Sequence, residues 1–361
     1  MNILIISPGF NFACGVSKHV FELLKHFDSK KEYTVYFITN GGDALSKLDK
    51  HSIEYTLLRF SKGWRNIFYL VYNYFRLKSF CIKNKIDMIH THHRYPELLS
   101  TIIAKRLNIK TITTVHSLVE GYKNLSFKSD KIIAVSNAVK QTLLDYFNVS
   151  SNKICTMYNC LMPLKETDEK QIKKLTKELN LKENDFVILF LGRINKVKGI
   201  DVLIESFLEI RSVYSNVKLI LLGSIMDKTL YKINTDFNEN IFVLSEQSQV
   251  SFYYKISDIV VLPSRVESLG YTMLESGYFK KPFIGSRTGG IAEFIDDGVN
   301  GFLFEPSNAN DLADKIKFVI NNPEKAKSAS EELHKKVKKY CNCEEYFEKL
   351  TNIYNELLNE Q

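Results

Sequence analysis

The sequence predicts two α/β domains, each a doubly wound parallel sheet of Rossmann-like type, joined near Pro163. Three observations predict this. Short β-branched runs alternate with stretches of helical period from one end of the chain to the other. The alternation pauses once, over a charged stretch that starts at residue 159, and then resumes. The 361 residues, 45% hydrophobic and 25% charged, suffice for two cores of ordinary size.

Taken in order, ILIIS opens the chain as a strand and leads into GVSKHVFELLKHF, a helix. YTVYFIT, DMIHTHH, TITTVHS and KIIAVS read as further strands, and PELLSTIIAKRLN has helical spacing. The pause, NCLMPLKETDEKQIKKLTKELNLKEND, carries one proline and one helix. FVILFLGRI, VKLILLGS, IFVLS, DIVVLPS and PFIGS are five strands of a second sheet. EEYFEKLTNIYNELLNEQ closes the chain as an amphipathic helix. The expected division is residues 1–163, residues 164–343, and a terminal helix at 344–361.

Bulk properties exclude several classes. The six cysteines form no CxxC pair, which disfavours a zinc ribbon or a disulfide framework and fits a reducing cytoplasm. MNILIISPGF has no basic leader region, and no apolar run reaches the length of a membrane span. Net charge is +8 but uneven: residues 1–160 hold 22 Lys and Arg against 11 Asp and Glu, a net +11, and the remainder is −3. The first half is therefore expected to meet something anionic, either nucleic acid or a membrane surface.

In open α/β sheets, ligands sit where strands end and the following helices begin. The first such junction, SPGFNFACGVSKHV, puts Gly15 at a helix start, whose free N–H groups favour an anion. It is neither a P-loop nor the GxGxxG of a dinucleotide fold, which disfavours an NAD enzyme. In the second, LGRINKVKGIDVLI, Arg193 and Lys198 flank a loop before Gly199, two cations suited to a diphosphate. The third, SRVESLGYTMLESG, offers N–H groups near Leu269, Gly270 and Tyr271, with Glu267 before the helix and Glu275 one turn inside it. A carboxylate at Glu275 is placed to accept from two neighbouring hydroxyls, as on a ribose. His90, His92 and His93 lack an acidic or cysteine partner at ligand spacing, and DxD is missing, so no metal is expected. His116 stands alone at the end of TITTVHS.

These residues carry a resemblance. Glu267 and Glu275 form an ExxxxxxxE pattern in LPSRVESLGYTMLESG, followed by KPFIGSRTGGIAEFIDDGVNGFLFEP. With GRINKVKG, CGVSKHVFELL, TVHS, AVSNAVK and YNC in the same order, the whole chain resembles the retaining GT-B glycosyltransferases of family 4, also called glycosyl transferases group 1. It departs from them at Cys14–Gly15, Leu269–Gly270 and Cys160, where two glycines, Phe–Gly and glycine are usual.

The resemblance implies a nucleotide-sugar donor on the second domain, a glycan or lipid-linked acceptor on the first, and a terminal helix that crosses back to pack on the first. It implies that Glu275 holds the ribose, that Arg193 and Lys198 neutralise the diphosphate, and that N–H groups near Gly15 and Gly270 assist. Glu267 and His116 would contact the transferred sugar. It further implies retention at the anomeric carbon, no resident metal or cofactor, and a role in bacterial surface polysaccharide synthesis. Alternatives are a sugar-nucleotide 2-epimerase of the same fold and a non-catalytic two-lobe sugar-binding protein.

Residues 57–85 hold seven cations and no acid, interleaved with aromatics. Trp64, Phe68, Val71 and Phe75 recur at helical spacing and are expected to pack on the sheet, while other aromatics lie beside the cations. Arg59, Lys62, Trp64, Arg65, Arg76 and Lys78 are expected to face an anionic membrane, giving a cytoplasmic protein peripheral to the inner face of the plasma membrane. Nothing in the chain supplies a base-reading motif, so nucleic acid is not an expected partner.

Overall fold

Two parallel sheets organise the chain. The computed structural model describes residues 1–361 apart from 13, 52, 61–65, 165–166, 227–239, 248 and 360–361, and apart from the side chains at 50 and 66–68. The first sheet contains β1 (Asn2–Ile6), β2 (Thr34–Thr39), β3 (Glu54–Leu57), β4 (Met88–Thr91), β5 (Lys110–Val115), β6 (Lys131–Ala134) and β7 (Ile154–Thr156). Its order is β3-β2-β1-β4-β5-β6-β7. The second contains β8 (Phe186–Leu191), β9 (Val217–Leu222), β10 (Ile241–Leu244), β11 (Ile259–Leu262), β12 (Phe283–Ser286) and β13 (Phe302–Phe304), in the order β10-β9-β8-β11-β12-β13. Every pairing between these strands is parallel.

The α/β alternation expected from the sequence is thus present in both halves, with three strands added. β3, β7 and β13 are all edge strands of three or four residues. Runs this short hold too few residues for a period to register. β3 is mostly exposed, whereas the central β4 and β11 are buried at every residue.

Helices cover the sheets. In the first half they are α1 (Gly15–Asp28), α2 (Asn66–Lys83), α3 (Arg94–Leu107) and α4 (Asn137–Asp145). α5 (Glu169–Glu178) follows the pause, and α6 (Ile200–Val213), α7 (Ser251–Ile256), α8 (Tyr271–Tyr278) and α9 (Gly289–Phe294) alternate with the second sheet. α10 (Ala309–Asn321), α11 (Pro323–Tyr340) and α12 (Cys343–Asn359) close the chain. Two units result: Met1–Cys160 with Cys343–Gln361, and Leu161–Asn342.

The terminal helix α12 belongs to the first unit for a visible reason. Tyr346, Phe347, Leu350, Tyr354 and Leu357 recur on one helical face and are all buried in the core beneath β1 and α1. Phe347 stacks on His26 with centroids 4.0 Å apart, and Tyr354 stacks on Phe27 at 5.3 Å. Burying each of these large side chains is worth about 1.5–3 kcal/mol. Residues 343–361 bring five acids and one lysine, so the first unit carries +7, less than the +11 of residues 1–160 alone.

α2 corrects an expectation. Val71 and Phe75, expected to face the sheet, are 55% and 63% exposed. The buried face is instead Asn73, Leu77 and Cys81, in a core cluster that Leu70, Tyr74 and Phe80 partly cover. The helix has apolar residues on both sides, so spacing alone did not choose between them. Lys62, Trp64 and Arg65 lie outside the described residues, as does the side chain of Phe68.

Candidate functional site

The strand orders locate the chemistry. In each sheet the direction of winding reverses once: between β1 and β4 in the first, between β8 and β11 in the second. Loops that leave two such strands diverge to opposite faces and open a crevice at their carboxyl ends. α1 follows β1, His92 to Arg94 follow β4, Arg193 to Lys198 follow β8, and Glu267 to Glu275 follow β11. Every junction singled out in the sequence, except that of His116 after β5, therefore flanks a switch point.

In the second unit, three loops are fastened together. Gly199 has φ +70°, and a Cβ there would collide with the carbonyl oxygen of Pro263. This close approach draws the loop after β8 onto the loop after β11. Arg265 secures it: its N–H donates to Val197 O at 2.9 Å, and its guanidinium donates to both oxygens of Asp201 at 2.7 and 3.0 Å. Asp201 is partly buried, which raises its pKa, but the Arg265 hydrogen bonds and charge outweigh this and hold it below the usual value. Gly290, at the start of α9, donates to Glu267 O at 3.1 Å, and a Cβ there would strike Ser268 O.

Within this frame Lys198 and Glu267 form an ion pair. Lys198 Nζ lies 2.5 Å from Glu267 Oε2, with both side chains largely buried, and Ser264 Oγ donates to the same oxygen at 3.2 Å. Asn195 Oδ1 accepts from Lys198 N–H at 2.9 Å and so shapes the turn that presents the lysine. The sequence had placed these two side chains at one site but not in contact. Arg193 is exposed and has no hydrogen bond or ion pair among the described residues. Gly270, at φ +87°, is the residue before α8, and Leu269 is buried beside it.

Glu275 is fully buried and accepts from Tyr254 Oη at 2.7 Å. Burial, followed by the neighbouring carboxylate, pushes the Tyr254 phenol well above its usual range, so it stays protonated and donates. Tyr254, Arg265 and Asp201 were not singled out in the sequence. Tyr254 lies in an ordinary apolar stretch, and the Arg265–Asp201 pair spans 64 positions.

In the first unit, Gly15 is the first residue of α1, and Cys14 before it provides no side-chain cap. The first helical N–H groups therefore lack an acceptor within the helix. His116 is not alone. Its Nε2 lies 3.0 Å from His92 Nδ1, and the His19 ring packs edge-on with centroids 4.9 Å away. His90 stacks on His92 at 4.5 Å and is tied by Tyr354 Oη at 2.6 Å and Thr114 Oγ1 at 2.8 Å. His19 Nε2 lies 3.3 Å from Tyr346 Oη.

His19, His92 and His116 offer ring nitrogens within 4.8 Å of one another, the set that could hold a metal ion among the described residues. The sequence had weighed His90, His92 and His93 instead; the fold selects a different trio because His19 arrives from α1. Burial lowers the His19 pKa to about 3 and those of His90, His92 and His116 well below 6.5, so all four are neutral at pH 7. A pocket of about 150 Å³ beside them is lined by His92, Arg94, Thr114, His116, Ser117 and Phe127. Its wall is braced by Glu97, a buried carboxylate that accepts N–H bonds from Phe127, Lys128 and Ser129 at 2.9, 2.5 and 3.0 Å.

Comparison with known proteins matches both halves. The Glycosyl transferases group 1 family covers residues 171–336, and Glycosyltransferase Family 4 covers residues 13–161. An uncharacterized glycosyltransferase, MJ1178, of Methanocaldococcus jannaschii is 28% identical over 92% of each chain. The capsular polysaccharide biosynthesis glycosyltransferase CapM of Staphylococcus aureus is 28% identical over 65% of this chain and 63% of its own. In fold, the chain matches Anabaena HepE in complex with UDP-glucose, with a TM-score of 0.85 and 17% identity over 99% of this chain and 100% of that one. Two parallel α/β units and this likeness make the fold GT-B. Matched in its first half and its second by the two models of one enzyme family, the chain belongs to the group 1, family 4 glycosyltransferases.

Proposed function

We propose that the chain moves a sugar from a nucleotide-diphosphate sugar to a glycan or lipid-linked acceptor, with retention at the anomeric carbon, in the assembly of a bacterial surface polysaccharide. The observation that carries this reading is the Lys198–Glu267 pair at the switch point of the second sheet, one short loop before a glycine-led helix that holds Glu275. Glycosyltransferase relatives that act in polysaccharide and lipopolysaccharide synthesis support it.

On this reading the donor binds the second unit. Glu275 exchanges its Tyr254 contact for, or shares it with, the ribose hydroxyls. Arg193 and Lys198 neutralise the diphosphate, assisted by N–H groups at Leu269, Gly270 and Tyr271. Glu267 orients both Lys198 and the transferred sugar. The bond from the anomeric carbon to the diphosphate oxygen breaks as the bond to the acceptor oxygen forms, and the acceptor proton passes to the leaving phosphate. Cations fixed at the diphosphate stabilise the charge that builds there. No resident cofactor or metal is invoked. The acceptor side is the first unit, and the protein works at the cytoplasmic face of the membrane.

The test is incubation with UDP-, GDP- and ADP-sugars. Release of nucleoside diphosphate supports transfer, an isomerised donor indicates an epimerase, and neither indicates a binding protein. With a competent acceptor, the anomeric coupling of the product decides retention. Glu275→Ala should weaken nucleoside diphosphate binding roughly ten- to hundred-fold, from a lost contact of about 1.5–3 kcal/mol; unchanged affinity removes Glu275 from the site.

A further inference from the structure

The outer face of α2 has a pattern that the core does not use. Val71, Tyr72, Phe75 and Ile82 are 55, 54, 63 and 57% exposed. At 100° per residue, Val71, Phe75, Ser79 and Ile82 fall on one stripe along the helix. Arg76 and Lys83 follow Phe75 and Ile82 directly and so line one edge of that stripe, and Lys78 lines the other. The opposite face packs inward: Asn73, Leu77 and Cys81 are buried, and Asn73 Nδ2 donates to Arg59 O at 3.0 Å. The helix is therefore held rigidly from behind while an apolar stripe bordered by cations faces outward.

α3 packs beside α2 and extends the same surface. Arg106 of α3 donates to Tyr74 Oη and lies over its ring, with the guanidinium carbon 5.3 Å from the ring centroid. Ile102 of α3 is 40% exposed. From residue 55 to residue 86 the chain has no Asp or Glu.

We propose that this face of α2 lies in the headgroup plane of an anionic lipid leaflet, with Phe75, Val71 and Ile82 in the acyl boundary and Arg76, Lys78, Lys83 and Arg106 at the phosphates. An in-plane helix needs an apolar stripe with cations on both flanks, and long basic side chains reach the phosphates while their stems stay apolar. From Val71 to Ile82 the stripe runs about 17 Å along α2. A second copy of the chain fits less well, because stacking this face on itself would oppose like charges. Nucleic acid would meet the cations but leave the apolar stripe unfilled. The proposal deepens the transferase reading by naming the surface at which a lipid-linked acceptor is met, and it rests on that reading only for the acceptor.

The experiment is co-sedimentation of the full chain with vesicles of phosphatidylcholine alone and with 30% phosphatidylglycerol, at about 50 and 500 mM salt. Wild type should pellet with the anionic vesicles at low salt and be released at high salt. Arg76→Glu with Lys78→Glu and Lys83→Glu should weaken binding more than tenfold. Phe75→Ser with Ile82→Ser should weaken it tenfold or more while leaving thermal melting and slow donor hydrolysis unchanged. Failure of wild type to bind anionic vesicles at low salt overturns the proposal, as does equal binding by either variant. So does self-association or RNA binding that Phe75→Ser with Ile82→Ser removes in place of vesicle binding. Vesicle binding is read without any sugar donor, so its failure and a failure of the transferase reading are separate results.

Discussion

Lowering the pH from 7.5 to 5 should unfold the first unit through its histidines. His19, His90, His92 and His116 are buried and neutral, the first with its pKa lowered to about 3 and the others well below 6.5, burial being the leading cause for each. His90, His92 and His116 are lowered further by neighbouring imidazoles, and the groups that face the cluster from α12 are the neutral phenols of Tyr346 and Tyr354. For a base with a depressed folded pKa, the unfolded chain binds more protons. Stability is thus full above pH 6.5 and falls as pH drops below it.

At pH 5 each histidine in the unfolded chain has gained nearly a full proton that its folded counterpart lacks, a loss of roughly 2 kcal/mol per site relative to pH 7.5. Four sites give on the order of 8 kcal/mol, comparable with the whole stability of a typical domain at about 5–15 kcal/mol. Ordinary carboxylates remain ionised there, so the effect stands apart from general acid denaturation.

The assay is urea unfolding at pH 7.5, 6.5 and 5.5, followed by circular dichroism. The expected slope near pH 5.5 is about 5 kcal/mol per pH unit, or roughly four protons taken up on unfolding. His19→Leu should lower the count by about one. A slope under about 1 kcal/mol per pH unit between pH 6.5 and 5.5 refutes the reasoning, because the histidines would then titrate alike in both states.

Other outcomes follow from the same geometry. Gly199→Ala places a Cβ against Pro263 O at a left-handed residue and should cost at least about 2 kcal/mol in urea unfolding, with nucleotide affinity falling too; wild-type stability would mean the two loops are not pressed together. Glu97→Ala strands three N–H groups and should cost about 2–5 kcal/mol by the same measurement, whereas a loss below about 0.5 kcal/mol would show that the carboxylate braces nothing. Arg193→Ala and Lys198→Ala should lower turnover more than nucleoside binding, and EDTA should leave turnover unchanged; a loss restored by magnesium contradicts a diphosphate held by side chains alone.

Much of the site was legible because its chemistry is local. Glu267 and Glu275 share one loop and helix, Arg193 and Lys198 share one turn, and glycines at 199 and 270 mark backbone that a side chain would strain or obstruct. What could not be read was pairing over distance. The Lys198–Glu267 contact spans 69 positions and the His90–Tyr354 contact 264. His19 lies one turn after Gly15 and could have been suspected from that i, i+4 spacing, but nothing local tied it to His92 and His116.

By itself the sequence determined the α/β alternation, the two sheets, the strand-to-helix junctions and the amphipathic terminal helix, since each rests on a period of two or 3.6 residues carried by consecutive side chains. Tertiary structure alone decided three things. It assigned the edge strands β3, β7 and β13, whose three or four residues are too few to carry a period. It turned Val71 and Phe75 outward, because a helix with two apolar faces has no preferred side until the sheet takes one. And it gathered four neutral histidines and a buried Glu275–Tyr254 pair, because burial depends on which distant elements cover a residue.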